Sequence, residues 1–217
     1  MKKKFDKNNL PNEIPIFPLS NVIFFPDTLL PLNIFEPRYK QMTEYALNEN
    51  GLIGMVQSKE EVDDQNRRQV YDIGCVGYIE YHSDTPDGRY LINLKGVSRF
   101  KIKNEIQSKN LFRSFEVQYD DFVHDIREEK VADLDTMKLI DKTKKLFDKS
   151  QLVTDWRVIE KVEPGKLINS LAMICPFTVS EKQSLLETQN LMERNEVLNQ
   201  IINFYILGDT GNNQNVH

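Results

Sequence analysis

A proline recurs every few residues through the start of this chain: Pro11, Pro15, Pro18, Pro26, Pro31 and Pro37, six of the nine in the sequence. Each fixes φ and removes an amide donor, so no long helix fits before residue 37. The residues between them are β-formers: Ile14, Ile16, Phe17, Val22, Ile23, Phe24 and Phe25. Short, bent strands suited to barrel edges or bulges are predicted there. Pro37 is placed for a first helical turn. Behind it Tyr39, Met42, Tyr45 or Ala46, and Leu47 recur at helical spacing. Asn50-Gly51 reads as a left-handed C-cap.

Four strand signals follow, at Leu52–Gln57, Asp72–His82, Arg89–Ile106 and Phe112–Phe122. Gly96 is expected to bulge or bend the third. Ser83 to Gly88 carries a hairpin turn, because Pro86 presets φ and Gly88 supplies positive φ. The polar residues 58–70 are read as a mobile loop. From about residue 128 the period changes from two to 3.6. Val131, Leu134, Met137, Ile140 and Phe147 mark one helix, and Leu167, Ile168, Leu171, Ala172 and Cys175 another between Pro164 and Pro176. Ser180 and Gln183 fit a capping box, and Leu198, Ile201, Ile202 and Tyr205 line a last helix. Strands followed by helices, without alternation, indicate an α+β chain. The expected organisation is a β-rich lobe over 10–122 and a helical lobe over 126–207, with disordered ends at 1–9 and 208–217.

Charge narrows the partners. Net charge is −5 over 217 residues, and dividing the chain at Phe122 leaves −2 and −3, so neither half is basic. Nucleic acid, which requires clustered positive charge, is disfavoured. Met1-Lys2-Lys3-Lys4 has the charge of a signal peptide, but Asp6, Lys7, Asn8 and Asn9 follow where an apolar core is needed. No apolar run is long enough to cross a bilayer, and a cytoplasmic location is expected. Cys75 and Cys175 sit among apolar residues and read as buried thiols, with a disulfide left open. With three scattered histidines they make no zinc site.

Catalytic motifs are absent. There is no G-x-x-x-x-G-K-[ST], since Gly165-Lys166 lacks the upstream glycine and the hydroxyl residue. There is no G-x-S-x-G, H-E-x-x-H or C-x-x-C. Ser98 with Lys101, or Ser108 with Lys109, is the nearest approach to a Ser–Lys dyad, and both pairs read as solvated polar positions. Asp63-Asp64 and Asp120-Asp121 read as loop charges. The expectation is a chain that is not an enzyme and needs no cofactor or metal.

The stretch Ile14-Pro-Ile-Phe-Pro-Leu-Ser-Asn-Val-Ile-Phe-Phe-Pro-Asp-Thr-Leu-Leu-Pro-Leu-Asn-Ile-Phe-Glu-Pro-Arg-Tyr39 resembles the first segment of the amino-terminal domain of Lon proteases. So do Gly51–Gln57, the strand Ile73–Ile79, Asp87-Gly88-Arg89-Tyr90 with Gly96–Ile102, and Glu181-Lys-Gln-Ser-Leu-Leu-Glu187, in that order along residues 14–206. The resemblance implies a PUA-like pseudo-β-barrel followed by a helical bundle, the two lobes forming one such domain. It also implies recognition of protein segments without the ATPase and protease that follow in full Lon chains. The implied partners are unfolded or flexible polypeptides, and an ATP-dependent protease or a second copy of the chain. An adaptor or chaperone-like role, hydrolysis supplied by another chain, and RNA binding suggested by the PUA-like barrel remain open alternatives.

Six residues are candidates for peptide contact: Phe24, Phe25, Phe35, Arg38, Tyr39 and Arg99. Phe35 and Tyr39 either plug the junction of barrel and helix or face a groove. Arg38 either pairs with Glu36 or Glu44 or meets a client. Arg99 is either a strand and core residue or a recognition residue. In a strand, Phe24 and Phe25 face opposite sides, exposing one of them. An apolar cleft between the lobes, with edge-strand pairing, is the expected mode.

Overall fold

The computed structural model describes residue 5, residues 9–126 and residues 135–208. Contacts gather into two compact units, Met1–Glu129 and Lys130–His217. The chain is α+β, as its pattern of periods predicts. Among its described residues the first unit holds seven strands and one α-helix: β1 (Glu13–Leu19), β2 (Leu29–Ile34), α1 (Pro37–Asn48), β3 (Leu52–Val62), β4 (Arg68–Val70), β5 (Ile73–Asp84), β6 (Tyr90–Ile106) and β7 (Arg113–Gln118). A 3-10 segment, Asp120–Ile126, follows.

Strand pairing runs β1-β7-β6-β5-β3, and a parallel β1–β3 ladder closes the ring into a small barrel. Ile14, Ile16, Leu52, Val56, Val76, Phe100, Phe115, Val117 and Tyr119 fill it. The prolines do not break the strands. β1 runs through Pro15 and Pro18 because its two ladders are staggered: residues 13–16 pair with β7 and residues 16–19 with β3. Each proline therefore sits where only one side of the strand is paired, and the missing amide disrupts no second ladder. β2, which contains Pro31, pairs among the described residues with β6 alone and is an edge strand.

β6 is bent, and Gly96 is the reason. Its first part pairs with β2 and its last part with β7. Between them the register against β5 slips, with Gly77 opposite Gly96 and Val76 opposite Ser98, a bulge at the position the sequence marks. Gly96 donates to the Thr28 carbonyl at 2.9 Å and accepts from Asp27 at 3.0 Å. Pro37 is the first residue of α1, which buries Tyr39, Met42, Thr43 and Ala46. Gly51, at φ +77°, ends its connection to β3. The β5–β6 turn closes at Thr85–Arg89 with Gly88 at φ +75°.

Three expectations for this unit are corrected. Residues 22–25 are not a strand. Asn21 and Asp27 both adopt left-handed φ, 61° and 60°, and turn the run inward as an irregular crossing. Residues 58–70 are not a loop but the outer end of β3, a turn and β4. The turn is built on Asp63, whose carboxylate accepts from the amides of Gln65 and Arg67, with Asn66 at φ 58°. Ser98 is not solvated: it is buried and donates to the Arg99 carbonyl, whereas Lys101 is exposed.

The second unit contains α2 (Thr136–Lys149), α3 (Trp156–Ile159), α4 (Pro164–Ile174), α5 (Val179–Glu187) and α6 (Leu191–Leu207). α6 packs on α2, α4 and α5. α4 buries Leu167, Ile168, Leu171 and Ala172, with Cys175 buried just beyond. On α2 the buried stripe is Leu139, Ile140, Thr143, Leu146 and Phe147; Met137 is exposed, while the expected Val131 and Leu134 lie outside the described residues. The capping box of α5 is two residues earlier than expected. Thr178 accepts from the Glu181 amide and the Glu181 carboxylate accepts from the Thr178 amide, while Gln183 reaches Glu187 instead. Expectations for residues 1–9 and 208–217 fall mostly outside the described residues.

Candidate functional site

A groove of about 630 Å³ opens on the first unit, within the range of small-ligand sites. Its walls come from four places. The end of β1 supplies Pro18, Leu19 and Ser20. The start of α1 supplies Glu36, Arg38 and Tyr39. The β3–β4 hairpin supplies Asn66, Arg67 and Arg68, and the β6–β7 connection supplies residues 105–108 and 110–113. The fold explains the convergence: the β1–β3 and β1–β7 ladders bring the hairpin and the β6–β7 connection to the same end of β1.

Aromatic packing fixes the floor. Tyr39 stacks on Phe17 with ring centroids 4.1 Å apart, and burial raises its hydroxyl above the ordinary tyrosine value against the lowering charge of Arg38. Phe112 is buried against Tyr45 at 5.4 Å. Leu111 stands exposed on the rim.

Arginines dominate the walls. Glu105 is gripped by two forks. Arg113 donates from Nε at 2.9 Å and Nη2 at 2.8 Å, and Arg67 from Nη1 at 2.8 Å and Nη2 at 3.3 Å. Arg67 also bridges to Asp63 at 2.8 Å. Arg38 pairs with Glu36 at 2.8 Å and lies 4.5 Å from the Tyr39 ring centre. Bidentate pairs of this kind hold geometry as well as charge. Burial pushes the Glu105 carboxyl upward, but the hydrogen bonds and charges of Arg113 and Arg67 outweigh it and hold the group below its ordinary value of 4.5.

A folded-state value below the unfolded one means that ionised Glu105 stabilises the fold. That contribution is complete above pH 4.5 and disappears as pH falls through the depressed value. Glu105→Gln is therefore expected to lower the urea midpoint at neutral pH, and the gap from the wild type to close in acid. Equal midpoints at neutral pH would show that the forks contribute nothing.

Among the six sequence candidates, Arg38 and Tyr39 line this groove. Phe35 is 62% exposed and adjoins them in sequence without lining it. The others stand elsewhere. Phe24 and Phe25 are 2% and 0% exposed, so neither is the exposed aromatic expected from strand alternation. Phe24 lies under Gly77 and the Phe25 carbonyl lies against Gly96. Arg99 is 1% exposed, bonds Asp125 through Nε and Nη2 at 2.9 Å each, and stacks over Phe122 at 4.5 Å. It is a core residue.

Arg67, Arg68, Glu105 and Arg113 were missed. The available signal was Asp63 four residues before Arg67, which marks a structured turn within the supposed loop.

Among the described residues no group of three or more His, Cys, Asp or Glu is placed to hold a metal, and no helix is long and apolar enough to cross a membrane. Cys75 and Cys175 are buried and are not joined in a disulfide. Burial pushes the Cys175 thiol up to about 12.

Comparison with known proteins follows the same geometry. Residues 13–203 match a sequence model described as the ATP-dependent protease La (LON) substrate-binding domain. Among curated relatives, the Lon protease of Dictyoglomus thermophilum is 27% identical over 189 residues, covering 86% of this chain and 24% of the relative. That of Brevibacillus choshinensis is 26% identical over 199 residues, covering 88% and 25%. The chain thus spans about a quarter of the length of these relatives. Two solved structures share the fold. A Lon N-terminal domain protein from Xanthomonas campestris has a TM-score of 0.60 at 20% identity, covering 87% of this chain and 97% of that one. The N-terminal domain of the Mycobacterium avium complex Lon protease has a TM-score of 0.59 at 17% identity, covering 88% and 98%.

Proposed function

The chain belongs to the LON substrate-binding domain family, and from that premise we propose that it recognises flexible polypeptide segments without cutting them. The observation that carries the reading is the groove beside α1, open to solvent and lined by fixed guanidinium groups over an aromatic floor. An extended client would lie along it, with Arg38 and Tyr39 among its contacts and Leu111 at the rim. The free edge of β2 offers a second mode of attachment, main-chain pairing with an added strand. Affinity per site should be modest, because the client loses conformational entropy on binding. Clients held this way would be passed to an ATP-dependent protease.

Hydrolysis by these residues has no support from the geometry. Ser98 is buried and bonded to a carbonyl while Lys101 is exposed. Ser108 caps the Asn110 amide.

Incubating the pure chain with casein, with and without ATP, tests the proposal. Crosslinked complexes with intact casein are expected. Fragmentation abolished by a single Ser→Ala substitution, or no capture above that of an unrelated acidic protein, would overturn it.

A further inference from the structure

The groove's charges do not balance, and the imbalance names a ligand chemistry. Its lining holds four cations, Arg38, Arg67, Arg68 and Arg113, and two anions, Glu36 and Glu105. Arg38 is neutralised by Glu36. Arg67 and Arg113 share Glu105, and Arg67 also meets Asp63. Arg68 is different. Its Nη1 donates to the Ser20 hydroxyl at 3.1 Å, and it pairs with no carboxylate among the described residues. Its main-chain carbonyl receives Arg113 Nη1 at 2.9 Å, which anchors the backbone beneath the side chain. An exposed cation is thus held at the wall of a concave site, in a chain whose net charge is −5. The surrounding protein repels anions generally; this groove locally reverses the sign.

We propose that the groove selects client segments bearing an aspartate or glutamate side chain, seated on Arg68. The inference rests on the polypeptide-recognition reading above and gives it a substrate class. A side-chain carboxylate fits better than a chain-terminal one. Terminal carboxylates are captured by rows of main-chain amides, and five amides of the two rim turns are already bonded. Those of Gln65 and Arg67 go to Asp63, that of Asn66 to the Asp63 carbonyl, that of Asn110 to Ser108, and that of Leu111 to Gln41. What stays available is a guanidinium fork, the partner a carboxylate accepts in bidentate fashion. Apolar side chains flanking the carboxylate would meet Leu111 and the aromatic floor.

Fluorescence anisotropy on the full chain with three labelled extended peptides of equal length and apolar content decides it. One peptide carries Asp and Glu, one Asn and Gln, and one Lys. The acidic peptide is expected to bind about ten-fold tighter than the amide one, the scale of one charge-assisted contact. That advantage is expected to vanish in Arg68→Gln and to survive in part in Arg68→Lys. Because the Arg113 bond uses the Arg68 main chain, these variants keep the hairpin anchored, and an unchanged melting temperature verifies it. Equal binding of acidic and amide peptides, or an acidic preference untouched by Arg68→Gln, would overturn the selectivity and leave polypeptide recognition standing. Binding of no peptide, with no capture of casein either, would remove both. Displacement of the acidic peptide by single-stranded RNA at lower concentration would assign the cation to phosphate instead.

Discussion

Replacing Asp125 by alanine is expected to lower the melting temperature of the barrel unit by roughly 10–20 °C, equivalent to about 3–5 kcal/mol. Asp125 lies in the 3-10 segment after β7, and its side chain is 9% exposed; that of Arg99 is 1% exposed. The carboxylate accepts from the Arg99 main-chain amide as well as from Nε and Nη2, each at 2.9 Å. Removing it leaves a full positive charge in the barrel wall, facing the Phe122 ring, without the carboxylate that compensated it. Breaking such a pair from one side costs far more than replacing both members with apolar residues. The double variant Arg99→Met/Asp125→Leu should accordingly lose less than Asp125→Ala alone. Thermal unfolding followed by circular dichroism measures both. A single variant within 2 °C of the wild type would show that the pair is incidental.

Gly96→Ala should be of similar size for a different reason. A Cβ built there falls 2.0 Å from the Phe25 carbonyl oxygen, 2.8 Å from its carbon and 3.0 Å from the Pro26 Cα. All three atoms are backbone, so no rotamer change relieves the overlap. Either β6 or the crossing at 25–28 must move, and with it the two hydrogen bonds Gly96 makes to Asp27 and Thr28. Overpacking at the top of its usual range, with about 1 kcal/mol for each bond, gives a loss of about 3–5 kcal/mol. Gly88 supplies the control. A Cβ there meets only the Lys40 Nζ, at 3.8 Å, and its φ of +75° suits asparagine. Gly88→Asn should cost under about 1 kcal/mol. Comparable losses at the two sites would mean that backbone freedom, not contact, explains Gly96.

The features legible in the sequence share a physical origin. Pro37, Gly88, Pro164 and the stripe of α4 each act through local geometry or through one face of one element. The residues that misled depend on what lies across the fold. Phe24 and Phe25 have strand composition, yet left-handed Asn21 and Asp27 decide their path. The β3–β4 hairpin projects with both faces in water, so no apolar alternation betrays it. Thr178 and Ser180 are both capable caps, and only the position of Glu181 against the helix start selects Thr178. The groove was hidden more deeply. Arg67 in the β3–β4 turn and Arg113 at the start of β7 meet on Glu105, and no spacing within a window reveals a carboxylate shared that way. The legible part of the lining, Arg38 with Tyr39, was visible because it follows directly from the opening of α1.

The staggered ladders of β1 also bear on how the chain leaves the ribosome. Ile16 pairs with Gly54 on one side and with Arg113 on the other. At about 5–20 residues per second, β7 emerges roughly 5–20 s after β1. Throughout that delay a nascent segment rich in isoleucine and phenylalanine has an unfilled ladder and could recruit a neighbouring chain. Standing three residues apart, Pro15 and Pro18 remove one donor from each edge of the strand, so the same residues that the finished barrel tolerates protect it against aggregation during synthesis.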